Sequence, residues 1–192
     1  MAIYGLKLGL VCLVATGLLA TVNSITLPKI KLQAEKELEE SLKEVLPQGE
    51  KFEAVKKQDV IIYYKVFDKK GEFLGAAFKV SAKGYSSIIE TMVGMTKDGT
   101  INAIKVLNHN ETPGLGSRIT EVKEDITIFD FIKGKKSTGI KKPWFQEQFS
   151  NKKIPEFDNI QAITGATISS KAVINSVKEK AQEIQALIKN EK

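Results

Sequence analysis

The sequence predicts an α+β protein with an apolar helix at its N-terminus, antiparallel hairpins in its middle and a long helix at its C-terminus. Two strand–turn–strand patterns and a later helical pattern of apolar residues support this class. Alternating strands and helices, which would build a parallel sheet, are not found, and the motif G-x-G-x-x-G is absent. A doubly wound dinucleotide-binding domain is therefore not favoured.

The N-terminal element is an apolar segment at residues 8–27 that contains no charged side chain. About 20 such residues in a helix span the hydrocarbon core of a bilayer. Lys7 gives the segment a positive N-terminal flank, which favours a cytoplasmic N-terminus. We therefore predict a single-pass anchor in the cell inner (cytoplasmic) membrane over residues 1–27, with the main domain on the extracytoplasmic face.

Two alternatives to this uncleaved anchor are a cleaved signal peptide and a lipoprotein modified at Cys12. A signal peptidase site needs small residues at positions −3 and −1, and no A-x-A sequence follows the apolar run. Few apolar residues precede Cys12, whereas a signal peptide has an apolar core of its own. The uncleaved anchor is favoured.

Residues 28–49 predict an amphipathic helix that connects the anchor to the folded domain. Leucine and valine side chains recur there at helical spacing, and the other faces are charged. Pro28 is expected to begin this helix, and Pro47 and Gly49 are expected to end it. The folded domain is then expected to cover residues 50–192.

Two hairpins are predicted in the folded domain. The strands VIIYYKVF and EFLGAAFKV flank the turn DKKG, and the strands SSIIETMVGM and TINAIKVLN flank the turn TKDG. A short helix is expected around DITIFDFI, within residues 120–133. The segment GKKSTG at 134–139 is interpreted as a basic loop, because Phe129 stands where a phosphate-binding loop has its first glycine.

The C-terminal helix is predicted from apolar residues that recur on one face, namely Ile174, Val177, Ala181, Ile184 and Ile188.

Composition excludes several classes of function. The 192 residues carry a net charge of +6, but the basic residues are interleaved with Asp and Glu, so nucleic acid is not expected as a partner. Cys12 and His109 are the only cysteine and histidine. Disulfides within the chain, Cys-based clusters and His-rich metal sites are therefore excluded, and no metal site is expected.

The segment ITGATISSKAV, residues 163–173, places hydroxyl side chains directly before the C-terminal helix. The N-terminus of a helix has unpaired N–H groups and the positive end of the dipole, so a phosphate is favoured there. Gly165 and Ala166 leave the backbone open to close approach, and Lys171 in the first turn would neutralise a phosphate. An ordinary N-cap is the alternative, because Ser and Thr are common caps. The hydroxyls belong to Thr164, Thr167, Ser169 and Ser170.

Two motifs in this chain resemble those of a known flavoprotein family. TGAT followed by ISSKAV resembles the (S/T)GAT attachment motif of the covalent FMN-binding subunits of Rnf and Na⁺-pumping NADH:quinone reductase complexes. HNETPGLGSRI at 109–119 resembles the second signature of that family, ETPGLG, which lies near the flavin. With the N-terminal anchor, the resemblance covers nearly the whole chain, and its length and layout are most similar to the G subunit of Rnf.

The resemblance implies an FMN-binding domain in which a flavin transferase joins FMN to Thr167 through a phosphoester. Such a subunit is an electron carrier within an ion-translocating oxidoreductase and not a complete enzyme. The complex transfers electrons between reduced ferredoxin and NAD⁺, coupled to Na⁺ or H⁺ transport, and the other membrane subunits are its partners. The resemblance also implies cofactor-binding roles for Thr164, Gly165, Ala166, Ser169, Ser170, Lys171, Glu111, Thr112, Pro113, Gly114, Leu115 and Gly116.

Two alternatives to this function stay open. One is the related subunit of a Na⁺-pumping NADH:quinone reductase. The other is a membrane-tethered binding or assembly module without covalent flavin. Gln161 favours the second, because the family commonly has an acidic residue at this position.

Overall fold

The computed structural model describes residues 2–58, 60–122 and 143–190. Its helices and strands, in chain order, are α1 (Ala2–Val45), β1 (Lys51–Lys57), β2 (Val60–Phe67), β3 (Phe73–Lys83), β4 (Ile88–Thr96), β5 (Thr100–Asn108), α2 (Trp144–Glu147), β6 (Lys152–Lys153) and α3 (Thr167–Asn190). Two 3₁₀ turns, Gly116–Thr120 and Ile154–Asn159, complete the part that is described. The helix expected around DITIFDFI and the loop GKKSTG lie outside the described residues.

The described strands form one six-stranded antiparallel sheet in the order β1-β2-β3-β4-β5-β6. Both predicted hairpins are confirmed, as β2 paired with β3 and β4 paired with β5. The second turn is stabilised by the Asp98 carboxylate, which accepts hydrogen bonds from the Thr96 and Thr100 hydroxyls. These hydrogen bonds lower the pKa of Asp98. The predicted α+β class is therefore confirmed.

The hydrophobic core lies between α3 and the sheet. Val177, Ala181 and Ile184 on α3 are fully buried, Ile188 is nearly so, and Ile174 packs against the core from its edge. The predicted apolar face of the C-terminal helix is thus confirmed.

The core also contains an aromatic cluster of three buried phenylalanines. The ring of Phe149 lies edge-to-face against Phe145 and Phe157, with centroids 5.6 and 5.4 Å apart. Such pairs add about 0.5–1.5 kcal/mol each beyond their buried area.

Helix α1 continues through Pro28, so the expected start of a separate helix at this residue is not observed. A proline inside a helix removes one backbone hydrogen bond and crowds the preceding turn, so α1 continues through this residue at a cost in stability. By length and composition, α1 is the one helix among the described residues that could cross a membrane.

The chain divides into two compact units, Met1–Glu40 and Ser41–Lys192. The last turn of α1 thus belongs to the folded unit, which begins earlier than the expected residue 50. Leu42 and Val45 are buried there, and the Asn102 side-chain amide donates a 2.6 Å hydrogen bond to the Val45 carbonyl.

Candidate functional site

A pocket of about 430 Å³ lies in the folded unit, where the N-terminus of α3 meets the segment that follows β5. It brings together the TGAT and ETPGLG motifs, although they are far apart along the chain. Its lining residues are Tyr85, Glu111, Thr112, Leu115, Gly116, Gly165, Ala166, Thr167, Ile168 and Ser169.

Thr167 is the first residue of α3, and its side chain is exposed at the pocket. The first intrahelical hydrogen bond runs from the Ser170 N–H to the Ala166 carbonyl, at 3.0 Å. Ala166 therefore occupies the N-cap position, and Thr167 is not the cap. Within the described part of the chain, no group forms a hydrogen bond with the Thr167 hydroxyl. This hydroxyl is available for chemistry with a molecule in the pocket.

The other three hydroxyls of the segment differ from Thr167 in position or in partners. Ser170 is fully buried, and its Oγ accepts from the Ile163 N–H at 3.0 Å and donates to the Ala166 carbonyl at 2.9 Å. Ser169 is also buried, and its Oγ donates to Glu111 Oε2 at 2.6 Å. Thr164 is exposed but is not a lining residue. Of the four, Thr167 alone combines exposure with a place in the pocket lining.

Glu111 is only 5% exposed, and its carboxylate accepts hydrogen bonds from five donors among the described residues. Oε1 accepts from the N–H groups of Ser86 and Ser87, at 3.0 and 2.9 Å, and from the Ser87 hydroxyl at 3.1 Å. Oε2 accepts from the Tyr85 N–H at 3.2 Å and from the Ser169 hydroxyl. Burial raises the pKa of Glu111, but the hydrogen bonds from Ser169 and the 86–87 segment outweigh it and place the pKa below its usual value.

The segment Thr112–Gly116 is a compact turn. The N–H groups of Leu115 and Ser117 donate to the Thr112 carbonyl, at 3.2 and 3.3 Å. The Thr112 and Ser86 hydroxyls lie 3.2 Å apart and share a hydrogen bond. Pro113, Gly114 and, on α3, Lys171 are exposed, and none of them lines the pocket.

Comparison with known proteins agrees with this geometry. Residues 84–182, which include every residue that lines the pocket, match the family described as FMN-binding domain. Residues 1–45 match the family described as RnfG N-terminal region.

The chain belongs to the G-subunit family of ion-translocating oxidoreductase complexes. It is 32% identical over 200 residues to the G subunit of a Na⁺-translocating ferredoxin:NAD⁺ oxidoreductase complex from Acetobacterium woodii, covering 96% of this chain and 92% of the relative. Identity to the G subunit of an ion-translocating oxidoreductase complex from Methanosarcina acetivorans is 30% over 187 residues, covering 90% and 88%. Identity to the G subunit of a proton-translocating ferredoxin:NAD⁺ oxidoreductase complex from Clostridium ljungdahlii is 28% over 191 residues, covering 93% and 88%.

The residues present fit the FMN expected in this G-subunit family. The pocket lies within the range of about 300–1,000 Å³ that is usual for small-molecule sites. A helix N-terminus and a hydroxyl without a protein partner among the described residues lie at the same wall, which suits a phosphate and its attachment. The one carboxylate in the lining already accepts hydrogen bonds from protein donors, so a bound ligand does not have to supply any.

Several residues of this site were not predicted from the sequence. Tyr85 and Ile168 line the pocket, and the backbone of 85–87 binds the Glu111 carboxylate. Gln146 is buried and bridges two segments, since its side chain donates to the Ile119 carbonyl at 3.1 Å and accepts from the Val106 N–H at 3.4 Å. The polar side chain within the aromatic segment WFQEQF was the available signal for Gln146.

Proposed function

We propose that this chain is the electron-carrying flavoprotein subunit of an Rnf-type complex, with FMN joined through a phosphoester to Oγ1 of Thr167. The observation that carries the proposal is the exposed Thr167 hydroxyl at the pocket, which has no hydrogen-bond partner among the described residues. The neighbouring Ser169 and Ser170 hydroxyls are buried and engaged by the protein.

The local backbone supports attachment at this residue. Gly165 has φ +82°, in the left-handed region that glycine adopts readily, and so turns the chain into α3 two residues before Thr167. The N–H groups at the start of α3 and the dipole of the helix would stabilise the phosphate. In the attachment, Oγ1 of Thr167 would bond to the phosphorus of an activated FMN supplied by a flavin transferase. The bond from phosphorus to the activating group would break, and the leaving group would take up the hydroxyl proton.

The remaining pocket residues hold and expose the cofactor. When bound, FMN supplies the redox chemistry, and the protein supplies position and electrostatics. Leu115 and Ile168 line the pocket and are about half exposed, at 48% and 57%. They offer apolar contact to a ring system while leaving one side open, and an open side is what electron transfer to a partner subunit requires.

Helix α1 is proposed to anchor the subunit as a single pass in the cytoplasmic membrane, with the folded unit on the extracytoplasmic face. The support is its length, its apolar composition and the exposure of its apolar side chains. The membrane subunits of the complex are the proposed partners, and reduced ferredoxin and NAD⁺ are the proposed redox couples of the whole complex. The names of the relatives include both Na⁺- and proton-translocating complexes, so the family likeness is compatible with either ion.

The test is in-gel flavin fluorescence of the denatured full-length chain after co-expression with a flavin transferase. We expect a fluorescent band for the wild type and for Thr167→Ser, which keeps a hydroxyl, and a dark band for Thr167→Ala. Ser81→Ala is the control, because it removes an exposed hydroxyl on β3 that does not line the pocket, and Thr164→Ala tests the other exposed threonine of the TGAT motif as an acceptor. Intact mass should show an increase of one FMN less one water in every fluorescent variant.

A dark wild-type band, with the transferase active on another substrate, would contradict covalent attachment. The membrane-tethered module without flavin would then be favoured. Fluorescence that is lost in Thr164→Ala and kept in Thr167→Ala would show that Thr167 is not the attachment residue.

A further inference from the structure

We propose that Glu111 is a positioning residue for the flavin site: it fixes the first turn of α3 through Ser169, and its negative charge lowers the reduction potential of the flavin. The inference rests on the proposed function, because it assumes that FMN occupies the pocket. It assigns Glu111 a role through other residues instead of direct contact with the cofactor.

The hydrogen bonds of Glu111 join three segments that are distant in sequence. Glu111 itself directly precedes the Thr112–Gly116 turn. Its Oε1 accepts hydrogen bonds from the backbone of residues 86–87, and its Oε2 accepts one from the Ser169 hydroxyl. Ser169 lies two residues after Thr167 in the first turn of α3. The carboxylate therefore ties the turn that carries the attachment hydroxyl to the opposite wall of the pocket.

The donors leave little capacity for a further ligand. An ionised carboxylate has about four lone-pair sites, and the described residues already supply five donors. A hydrogen bond from the flavin to Glu111 would have to displace one of them. This count favours a positioning role over that of a direct ligand.

Two glycines allow the backbone to approach the Glu111 carboxylate closely. A Cβ on Gly84 would lie 2.6 Å from Glu111 Oε1, and a Cβ on Gly116 would lie 2.5 Å from Oε2. Backbone therefore approaches the carboxylate from both sides. A side chain at either position would push the carboxylate away from its donors, including Ser169.

The charge of Glu111 is buried beside the pocket. It is the one carboxylate among the residues that line the pocket. A buried charge is screened by solvent much less than an exposed one. Reduction adds negative charge to the flavin, and a fixed anion nearby opposes this, so the carboxylate is expected to make the reduction potential more negative.

The test uses the full-length chain with Glu111→Gln, Ser169→Ala and the control Glu121→Gln. Glutamine nearly preserves the shape of Glu111 and removes its charge, whereas Ser169→Ala keeps the charge and removes the tie to α3. Glu121 is an exposed carboxylate of the neighbouring loop that pairs with Arg118 at the surface. Two quantities are measured: the midpoint potential of the flavin-loaded chain, and amide hydrogen exchange of residues 170–173, the first hydrogen-bonded amides of α3, in the flavin-free chain.

We expect a more positive midpoint potential in Glu111→Gln and a potential near that of the wild type in Ser169→Ala and Glu121→Gln. Exchange of residues 170–173 should be roughly tenfold faster or more in Ser169→Ala, as expected for the loss of a hydrogen bond to a charged group. Glu121→Gln should leave this exchange unchanged. If Glu111 had only a structural role, Glu111→Gln would not give a more positive midpoint potential than Ser169→Ala and Glu121→Gln.

Either of two results would overturn the proposal: an unchanged midpoint potential in Glu111→Gln, or unchanged exchange in Ser169→Ala. If Glu111→Gln does not fold, Ser169→Ala with its exchange measurement still decides the positioning role, and a Ser87→Ala variant tests a second donor of the same carboxylate. If the wild type takes up no flavin, the proposed function fails, while exchange in the flavin-free chain still reports on the tie between Glu111 and α3.

Discussion

Replacing Gly116 by alanine is expected to destabilise the folded unit by about 3 kcal/mol and to abolish flavin incorporation at Thr167. The new Cβ would lie 2.5 Å from Glu111 Oε2 and 2.9 Å from Ser169 Oγ. Carbon atoms do not approach oxygens this closely, so the carboxylate and the first turn of α3 must separate. Thermal unfolding of the flavin-free chain and in-gel fluorescence after co-expression with a flavin transferase measure the two effects.

Gly114→Ala is the matched control for this substitution, two residues away in the same turn. Gly114 has φ +74°, but no heavy atom lies within 4 Å of the position that a Cβ would occupy. Its replacement should cost only about 1–2 kcal/mol through backbone strain and should leave flavin incorporation intact. Equal loss of incorporation in both variants would show that the turn matters through its backbone and not through contact with Glu111.

The flavin-free chain is expected to lose stability on acidification to a greater extent than its Glu111→Gln variant. The pKa of Glu111 is lowered in the folded state, so its contribution to stability is complete above the unfolded pKa of about 4.3. That contribution is lost as pH falls from this value through the folded pKa, where the carboxylate must take up a proton. Chemical denaturation of both chains between pH 7 and about pH 3 measures the difference.

At pH 7 the Glu111→Gln variant should be less stable than the wild type by about 2–4 kcal/mol, because glutamine places an amide group against at least one N–H donor. The difference should narrow below about pH 4. Asp98 also has a lowered pKa, but it is present in both chains and does not enter their difference. A gap between the two chains that stays constant with pH would contradict the assignment of an ionised Glu111.

Local sequence patterns predicted most of the fold. The turns DKKG and TKDG specify both hairpins because turn chemistry acts over a few residues, and the apolar face of α3 follows from helical spacing. Strand β1, KFEAVKK, was not predicted. It is an edge strand in which only Phe52 and Val55 are partly buried. Most of its other residues are charged, so the sequence lacks the alternation of apolar and polar residues that predicts a strand.

The candidate site was predicted in its motifs but not in its supporting contacts. Thr167, Glu111 and the Thr112–Gly116 turn could be selected from short sequence patterns and a family resemblance. The donors from residues 85–87 could not, because they are backbone groups that any sequence possesses and they meet Glu111 only after the sheet has formed. The same limit applies to Ser169, whose burial depends on how α3 packs.

The exposure of successive residues at the start of α3 has a consequence for where a cofactor could be attached. Thr167 and Ile168 face outward, Ser169 and Ser170 face inward, and Lys171 faces outward again. Each step along an α-helix rotates the side chain by about 100°. Moving the acceptor hydroxyl to position 169 or 170 would therefore turn it into the protein interior, whereas a whole turn would return it to the surface about 5–6 Å along the helix axis. The position of the threonine within TGATISS thus determines the direction in which its hydroxyl points. A threonine at another position of the helix would have the same chemistry but would present its hydroxyl in a different direction.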